Sequence, residues 1–259
     1  MRYRPIDRDP EDQRLGRFIP DDWGHVEQYP LRGLAVEERP TLVPVVLGVN
    51  WYVEMGRPEQ DPETGDHFIA RGGPDSLTKI RGGHCVCLEP GGEPDSDDRW
   101  DFYDQGSEGA CVGFGWSRCM SLLNKGDLYA ARWLWDRAKE GDQWPETVPG
   151  DDEGTSVRAA GDVLQTTGHV AWSKPYADDD HSERGNYKPE RGHGIGSFRW
   201  AQSVDEVHDA LGNEKADRLG AVPMLNSWGR SYPHRTWMPD EVLDRLMEEE
   251  GEVAIPTDH

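Results

Sequence analysis

Residues 104–111 read DQGSEGAC, and a helical pattern starts where they end. Glycine permits sharp turns and a close approach of the backbone, so Gly106 and Gly109 predict a tight loop before the cysteine. Beyond Ala110 the apolar residues recur at intervals of three and four positions, which is the spacing of one helix face. These residues are Val112, Trp116, Cys119, Met120 and Leu123. The pattern predicts that Cys111 opens a helix.

A second motif, Asn226-Ser227-Trp228-Gly229, lies much further along the chain. Together the two motifs resemble active-site segments of papain-like cysteine peptidases. In that family a glutamine stands six residues before the nucleophilic cysteine, and Gln105 stands six residues before Cys111. The Asn-Ser-Trp-Gly motif of the family carries the residue that orients the catalytic histidine. The resemblance implies that Cys111 is a nucleophile, that Gln105 stabilises an oxyanion and that Asn226 orients a histidine.

The two motifs do not include the catalytic histidine that the resemblance requires. The family places it between the cysteine and the asparagine, where this chain has His169, His181, His193 and His208. His181 and His193 lie in a polar stretch rich in Asp, Arg and Gly. His208 falls in an amphipathic helix pattern, and His169 follows a glycine that is predicted to end a helix. None of these surroundings resembles the apolar histidine strand of the family.

A strand of that type occurs earlier, at residues 81–88, which read RGGHCVCL. The stretch 43–52, VPVVLGVNWY, resembles the strand that comes before the histidine strand in bacterial and phage members. The resemblance therefore implies His84 as the catalytic histidine and a permuted order of motifs, His84 first, then Cys111 and Asn226. A catalytic constellation is defined by geometry and recurs in different chain orders. We expect the His84 ring to lie within hydrogen-bond reach of the Cys111 sulfur, about 3 to 4 Å.

Periodicity and turn residues divide the rest of the chain into elements. Strands are predicted at 43–53, 80–88 and 221–228, with an edge strand at 252–256, and helices at 128–140, 155–165, 204–211 and 240–249. Ser203 and Glu206 have the spacing of a capping box, and Gly212 follows the end of that helix. Helices cluster after the cysteine and strands lie on both sides of that block, which is typical of an α+β protein.

The resemblance to papain-like peptidases makes the expected fold more specific. It implies a two-lobed α+β fold in which a helical lobe packs against an antiparallel β-barrel-like lobe, here with rearranged, permutation-like connectivity. Residues 1–40 are predicted to form an irregular N-terminal arm. Residues 41–103 and 196–259 are predicted to form the β-rich lobe, which carries the histidine and the asparagine. Residues 104–195 are predicted to form the helical lobe, which carries the glutamine and the cysteine.

The resemblance implies complementary roles for the candidate residues in peptide-bond hydrolysis. The Cys111 thiolate would attack the scissile carbonyl and form a thioester acyl-enzyme, with His84 as the general acid and base. The Gln105 amide and the Cys111 backbone N–H would donate to the oxyanion. A helix N-terminus and an imidazolium neighbour both favour a thiolate, so a lowered pKa is expected for Cys111. Candidate substrate contacts are Gly83, Gly109 and Trp228.

Composition limits the partners that the chain is expected to have. Lys and Arg number 28 against 50 Asp and Glu, and the net charge of −22 repels nucleic-acid backbones and anionic membrane surfaces. No stretch approaches the roughly 20 apolar residues of a membrane span, and residues 1–7 lack the apolar core of a signal peptide. The four cysteines are accordingly predicted to stay reduced in a cytoplasmic protein. A peptide or protein substrate is expected, and no metal or other cofactor.

Two other interpretations of these residues remain open, and a third is disfavoured. A papain-like module that has lost catalysis would bind peptides in the same cleft without cleaving them. An acyl or peptidyl transferase would use the same cysteine and histidine but pass the acyl group to an amine. A metal site built from His84, Cys85 and Cys87 is disfavoured, because successive strand residues point to opposite faces and paired Cys-x-x-Cys spacing is absent.

Overall fold

Strands and helices are interspersed along the part of the chain that the computed structural model describes, which comprises residues 42–92, 103–124, 127–143, 154–172 and 189–257. The strands are β1 (Val45–Tyr52), β2 (Glu59–Gln60), β3 (His67–Phe68), β4 (Ile80–Leu88), β5 (Leu128–Tyr129), β6 (Ala171–Trp172), β7 (Ser197–Trp200), β8 (Ala221–Leu225), β9 (Arg235–Pro239) and β10 (Glu252–Thr257). The helices are α1 (Cys111–Leu123), α2 (Ala131–Gly141), α3 (Val157–Thr166), α4 (Val204–Leu211), α5 (Glu214–Leu219) and α6 (Asp240–Glu248). The N-terminal arm predicted at residues 1–40 lies outside the described residues.

One large sheet organises the described residues, with the strand order β2-β3-β9-β8-β4-β1-β10-β7. The central strands β1 and β4 pair antiparallel, with Val49 opposite His84. β8 lies on the other side of β4 and pairs antiparallel to it, with Leu225 opposite Cys87. The α+β class predicted from the sequence is confirmed. The barrel-like lobe is not, because β2 and β7 end the strand order and the described sheet stays open.

Alternation along the strands gives this sheet two apolar faces. On β4, Val86 and Leu88 join one core, whereas Cys85 and Cys87 join the other. Helices α4 and α6 pack over the first core, and α1, α2 and α3 contribute to the second. A closed barrel turns one face inward, so two helix-covered faces favour the open sheet that is observed.

Two glycines allow α1 to lie close to its neighbours. A Cβ atom at Gly115 would lie 2.8 Å from the sulfur of Cys85 on β4. A Cβ atom at Gly113 would clash with the backbone carbonyl oxygen of Ala131 on α2. Protein interiors are close-packed, and neither site leaves room for a side chain. The glycines therefore set the position of α1 against the sheet, and with it the position of Cys111, the first residue of the helix.

Long elements agree closely with the sequence predictions, whereas short ones were missed. The predictions at 80–88 and 204–211 coincide with β4 and α4, and the Ser203 hydroxyl accepts from the backbone N–H of Glu206 at 3.2 Å. The helix predicted at 128–140 begins only at Ala131, because Leu128–Tyr129 pairs with β6. The tail forms β10 as predicted, but it lies between β1 and β7 and is not an edge strand. β7, β9 and α5 were not predicted.

Candidate active site

Two tryptophan rings enclose the imidazole of His84 on β4. The Trp228 ring stacks on the His84 ring with centroids 4.7 Å apart, and the Trp51 ring meets it edge-on at 4.8 Å. The two indoles also contact each other edge-on, with centroids 5.4 Å apart. His84 is only 1% exposed. The rings therefore fix the plane of the imidazole and exclude water from it.

Asn226 supplies a polar partner for this ring. His84 Nε2 lies 2.8 Å from Asn226 Oδ1, and the backbone N–H of Ser227 donates to the same atom at 2.7 Å. A backbone N–H can only donate, so this atom of Asn226 is the carbonyl oxygen, and His84 Nε2 must carry the donated proton. His84 Nδ1 is then the nitrogen that can accept a proton. It has no hydrogen-bond partner among the described residues.

Strand pairing brings these residues together. Leu225, the last residue of β8, lies opposite Cys87 of β4. Continuing this antiparallel register places Asn226 opposite Val86, which is two residues from His84 on the same face. The side chains of Asn226 and His84 are diagonal neighbours across the strand pair for this reason. The match depends on register, because a slip of one residue would turn each side chain to the opposite face.

The loop before α1 is hydrogen-bonded to the Asn-Ser-Trp-Gly segment. The Gln105 backbone N–H donates to the Ser227 carbonyl oxygen at 2.9 Å, and the Ser227 hydroxyl donates to Gln105 Oε1 at 2.6 Å. Gln105 Nε2 donates to the Glu108 carbonyl oxygen at 2.8 Å. Asp104 and Trp228 form a β-bridge next to these bonds. The two motifs recognised in the sequence therefore form one connected unit.

A glycine and an ion pair complete this connection. Gly229 has a φ of +58°, and a Cβ atom there would clash with the Asp104 carboxylate. This position combines a left-handed conformation with a close approach, which glycine alone accommodates. On the other side of the loop, Arg132 of α2 forms a salt bridge with Glu108. The loop is thus held from both sides immediately before Cys111.

The thiol of Cys111 is buried at the start of α1, with 4% exposure. Burial raises the pKa of Cys111 to about 11, and the backbone N–H groups of Cys85, Val112 and Cys111 offset only part of this effect. The lowered pKa expected from the sequence is therefore wrong for this structure. Removal of the sulfur from water outweighs the helix terminus.

The relation between Cys111 and His84 is indirect in the described structure. The backbone N–H of Cys85 interacts with the Cys111 sulfur as a hydrogen-bond donor and lowers the pKa of the thiol. Cys85 directly follows His84 in β4. The sulfur thus lies near the peptide unit that joins these two strand residues. No hydrogen bond between the Cys111 thiol and His84 occurs among the described residues, so the contact expected from the sequence stays a prediction.

Burial also acts on the imidazole of His84. Burial and, to a smaller extent, the positive charge of Arg81 lower the pKa of His84 to about 4. The hydrogen bond to Asn226 acts in the opposite direction but is outweighed. Taken one at a time, the His84 imidazole and the Cys111 thiol are therefore both neutral at pH 7. Any ion pair between them requires transfer of a proton from sulfur to Nδ1.

A cleft of about 630 Å³ opens beside His84. Gly83 and Trp228, two of the three predicted substrate contacts, line it, whereas the third, Gly109, is buried elsewhere. Cys111 is buried as well and is not part of the lining. Arg81 and Asp104 are the charged side chains among the described residues that line the cleft. Its walls thus carry indole rings, glycine backbone and one charge of each sign.

His169, the first of the other candidate histidines, has a structural role. It is fully buried, its Nδ1 accepts from the backbone N–H of Val170 at 2.8 Å, and its Nε2 lies 2.8 Å from Ser117 Oγ. Both ring nitrogens are occupied, so this histidine is a satisfied core residue. Burial lowers the pKa of His169 to about 3, with a smaller contribution from His193.

The remaining candidates also lie apart from Asn226. His208 is held between two carboxylates, with Nδ1 2.7 Å from Asp217 and Nε2 2.9 Å from Asp240. The His193 ring meets the Tyr129 ring edge-on at 5.8 Å. His181 lies outside the described residues. Of the histidines that the structure describes, His84 is the one that hydrogen-bonds to Asn226.

Further observations concern metal binding and membranes. His84 and Cys85 join opposite faces of β4, which does not suit a shared ion. Among the described residues no group of three or more His, Cys, Asp or Glu side chains is placed to hold a metal. Cys85, Cys87, Cys111 and Cys119 are buried free thiols. No helix in the described ranges has the length and apolar character needed to cross a bilayer.

Sequence reasoning missed several residues of this site. Ser227 stands inside a recognised motif, but its hydroxyl bond to Gln105 is visible only in three dimensions. Trp51 lies in the strand predicted at 43–53, yet its contact with His84 follows from the β1–β4 register. Arg81 precedes the predicted catalytic histidine by three residues, and that proximity was the one available signal for its place in the cleft.

Comparisons with known proteins yield one structural likeness. Neither a protein-family model nor a curated protein sequence matches the chain. Among solved structures the chain is similar to xylellain, a cysteine protease from Xylella fastidiosa, at 15% identity and a TM-score of 0.47. The similarity covers 61% of this chain and 82% of that chain. A likeness of this size does not assign the chain to a family.

Proposed function

We propose that the protein is a cysteine peptidase of papain-like architecture in which Cys111 forms a thioester acyl-enzyme. The observation that carries the proposal is the 2.8 Å bond between His84 Nε2 and Asn226 Oδ1. This bond leaves Nδ1 as the proton-accepting nitrogen, in the strand residue that directly precedes Cys85. The N–H of Cys85 acts in turn on the Cys111 sulfur, which supports a thiol and an imidazole that work together.

In the proposed reaction His84 is first a general base. The Cys111 proton moves to His84 Nδ1 while the sulfur attacks the scissile carbonyl carbon, because both groups are neutral before substrate binds. The carbonyl oxygen becomes an oxyanion, which the Gln105 amide and the Cys111 backbone N–H stabilise. The proton on Nδ1 then passes to the leaving amine, and the C–N bond breaks. Water attacks the thioester with His84 again as the base, and the thiol is released.

The permuted order of motifs is part of the proposal. His84 lies on one of the two central strands of the sheet, and this strand precedes Cys111 in the chain. Asn226 follows a later strand that pairs directly with it. Strand pairing is indifferent to the chain order of its partners, so an early histidine strand can serve a late asparagine. The proposed lobes are the predicted ones, β-rich at 41–103 and 196–259 and helical at 104–195.

A second candidate function is peptide binding without cleavage. One observation favours it, namely that Cys111 is only 4% exposed and does not line the cleft beside His84. In that case Trp228 and Gly83 would contact a peptide that is not cleaved. Acyl or peptidyl transfer remains a variant of the first proposal, since it uses the same thioester and differs only in the nucleophile that accepts the acyl group.

Incubation with a peptide library, followed by mass spectrometry of the products, tests the proposal. The variants are Cys111→Ala and His84→Ala, with Cys119→Ala as the matched control because it changes another buried cysteine of the same helix. We expect the parent and the Cys119 variant to cut, and the other two to fold with native circular dichroism and not cut. Turnover that survives in His84→Ala but is lost when His193 or His208 is changed would contradict the assignment. A folded parent that neither cuts nor reacts with iodoacetamide at Cys111 would favour the binding module.

A further inference from the structure

A second groove of about 390 Å³ adjoins the cleft beside His84. The lining residues of this groove, called here the basic groove, are Val53, Gly56, Arg57, Lys79, Ile80 and Arg81. Gly56 and Arg81 line both the cleft and the groove, so the two cavities are direct neighbours. A chain bound at His84 could therefore extend directly into the basic groove.

Three exposed cations concentrate there although the chain has a net charge of −22. Arg57, Lys79 and Arg81 form no salt bridge with a carboxylate in the part of the chain that the structure describes. The Arg81 guanidinium lies 5.9 Å from the centroid of the Trp228 ring, at the junction with the cleft. Among the described residues, no carboxylate lines the groove. The Glu54 carboxylate, next to Val53 in the chain, keeps its negative charge, because the hydrogen bond from the Thr78 hydroxyl lowers the pKa of Glu54. The basic groove is thus a local positive surface on an acidic protein, and it favours a negatively charged ligand.

Apolar side chains are exposed in the same place. Ile80 is 51% exposed and Val53 is 44% exposed, and these are the highest values among the large hydrophobic residues that are described. The backbone N–H of Val53 donates to the carbonyl oxygen of Lys79 at 2.9 Å, which holds the two sides of the groove together. Exposed apolar surface next to unpaired charge is the composition expected of a recognition site for an amphipathic segment.

The direction of a bound substrate follows from the proposed chemistry. His84 hands its proton to the leaving amine, so the surface beyond His84 and away from α1 faces the leaving-group half of the peptide. Arg81 precedes His84 by three residues along β4. At a rise of about 3.3 Å per strand residue this is roughly 10 Å, the span of about three extended peptide residues. The basic groove therefore begins where the second or third leaving-group residue would lie.

We propose that the basic groove binds an acidic segment of the substrate on the leaving-group side of the scissile bond. Carboxylates of that segment pair with Arg81, Arg57 and Lys79, and an apolar side chain packs on Ile80 and Val53. The proposal rests on the peptidase function and names its substrate class, a peptide with carboxylates shortly after the cleavage site. Exposed ion pairs contribute little one at a time, so the preference comes from the three cations together.

The test compares fluorogenic peptides that share one sequence before the scissile bond. After it they carry alanines, or glutamates at the second and third positions, or lysines at those positions, each as a C-terminal acid and as an amide. The protein variants are Arg81→Gln, the triple variant Arg57→Gln/Lys79→Gln/Arg81→Gln, and Arg218→Gln. Arg218 is an exposed cation on α5 outside the groove, so it controls for loss of one charge.

We expect the parent to show a kcat/KM about tenfold higher for the glutamate peptide than for the alanine peptide at low salt, falling as salt rises. The ratio should drop to about threefold in Arg81→Gln and close to unity in the triple variant, and stay at the parent value in Arg218→Gln. If kcat/KM depends only on whether the C-terminus is an acid or an amide, the groove recognises the chain end and not acidic side chains, and the proposal is overturned. Equal kcat/KM for all peptides in the parent would overturn the proposal.

A binding measurement separates this proposal from the peptidase function. Anisotropy of the labelled glutamate peptide is followed with the Cys111→Ala variant, which cannot cleave it. An affinity for the glutamate peptide that is about tenfold weaker in the triple groove variant supports the proposal for the basic groove. This holds even if the parent cuts nothing, and in that case only the peptidase proposal fails. Cleavage by the parent with no preference and no effect of the groove variants leaves the peptidase and refutes the groove. A single-stranded oligonucleotide of equal charge that binds as tightly, through the same cations, would also overturn it.

Discussion

His84 Nε2 lies 2.8 Å from Asn226 Oδ1, although 142 residues separate them in the chain. The same oxygen accepts from the backbone N–H of Ser227, which settles that it is the carbonyl oxygen and that His84 donates to it. One amide oxygen thus orients the ring, selects the tautomer and directs Nδ1 away from Asn226. The proposed chemistry depends on these three consequences of one contact.

Replacement of Asn226 should separate the orienting role from simple packing. In Asn226→Ala both the His84 Nε2–H and the Ser227 N–H lose their acceptor, so the free energy of unfolding should fall by about 2 to 4 kcal/mol. In Asn226→Asp an oxygen remains, and its negative charge should raise the pKa of His84 above the parent value of about 4. Urea unfolding and an NMR titration of His84 measure the two effects. An unchanged His84 pKa in the aspartate variant would contradict the contact.

Alkylation of Cys111 should depend on His84 in a pH-dependent way. Without the imidazole the buried thiol titrates alone with a raised pKa of about 11, so in His84→Ala the rate should climb between pH 9 and 11. In the parent, proton transfer to Nδ1 should make the reaction at pH 7 about 10²-fold faster than in that variant. The difference should narrow as the pH approaches 11. Iodoacetamide labelling read at Cys111 by mass spectrometry provides the rates, and identical profiles would exclude cooperation between the two groups.

Added methyl groups on α1 should disturb the position of Cys111. Gly113→Ala places a Cβ against the Ala131 carbonyl oxygen, and Gly115→Ala places one 2.8 Å from the Cys85 sulfur. Overpacking of this kind destabilises by about 1 to 3 kcal/mol, and Gly113→Ala should have the larger effect because a backbone atom moves less easily than a side chain. Gly141→Ala at the end of α2 is the control, since a Cβ there has open space. If thermal unfolding shows that Gly141→Ala destabilises the protein as much as the other two variants, the packing argument is refuted.

Acid should destabilise the protein partly through His169. Burial holds the pKa of His169 at about 3, below the ordinary value of 6.5, so the unfolded chain binds this proton first. Its contribution to stability is therefore lost as the pH falls from 6.5 toward 3, by up to about 1.4 kcal/mol per pH unit. In His169→Gln, unfolding should take up about one proton fewer in this pH range, and the slope of the unfolding free energy against pH should decrease accordingly. Parallel slopes for parent and variant, from urea unfolding at several pH values, would contradict this prediction.

His208 should act with the opposite sign. Burial acts to lower the pKa of His208, but the hydrogen bonds and charges of Asp240 and Asp217 outweigh it and raise the pKa. The stabilisation is then fully present below the unfolded value of 6.5 and is lost as the pH rises through the higher folded pKa. His208→Gln should accordingly lower the unfolding free energy more at pH 6 than at pH 9. A larger loss at pH 9 would show that the two carboxylates do not hold a charged imidazole.

Elements with strong local signals were the predictable part of the fold. β4 is an apolar strand that is entered through two glycines, and α4 combines a helical apolar period with its own cap at Ser203. α5 was missed although Asn213 and Gly220 cap it, because it is only six residues long. The short strands β7 and β9 form by pairing with β10 and β8, and the local sequence does not identify those partners. The predicted edge position of β10 was wrong for the same reason, since the choice of neighbour is a property of the sheet and not of the strand.

The amino-acid sequence was sufficient to propose Gln105, Cys111 and Asn226 as candidates, because the resemblance of the two motifs to a known family can be read along the chain. It also singled out His84 as the candidate histidine from its strand pattern. The tertiary structure decided that His84 hydrogen-bonds to Asn226, since the register of β4 with β8 is a long-range property. Packing likewise decided the ionisation of Cys111. The pKa of a thiol depends on its solvent exposure and on nearby charges, and both are set by the tertiary structure.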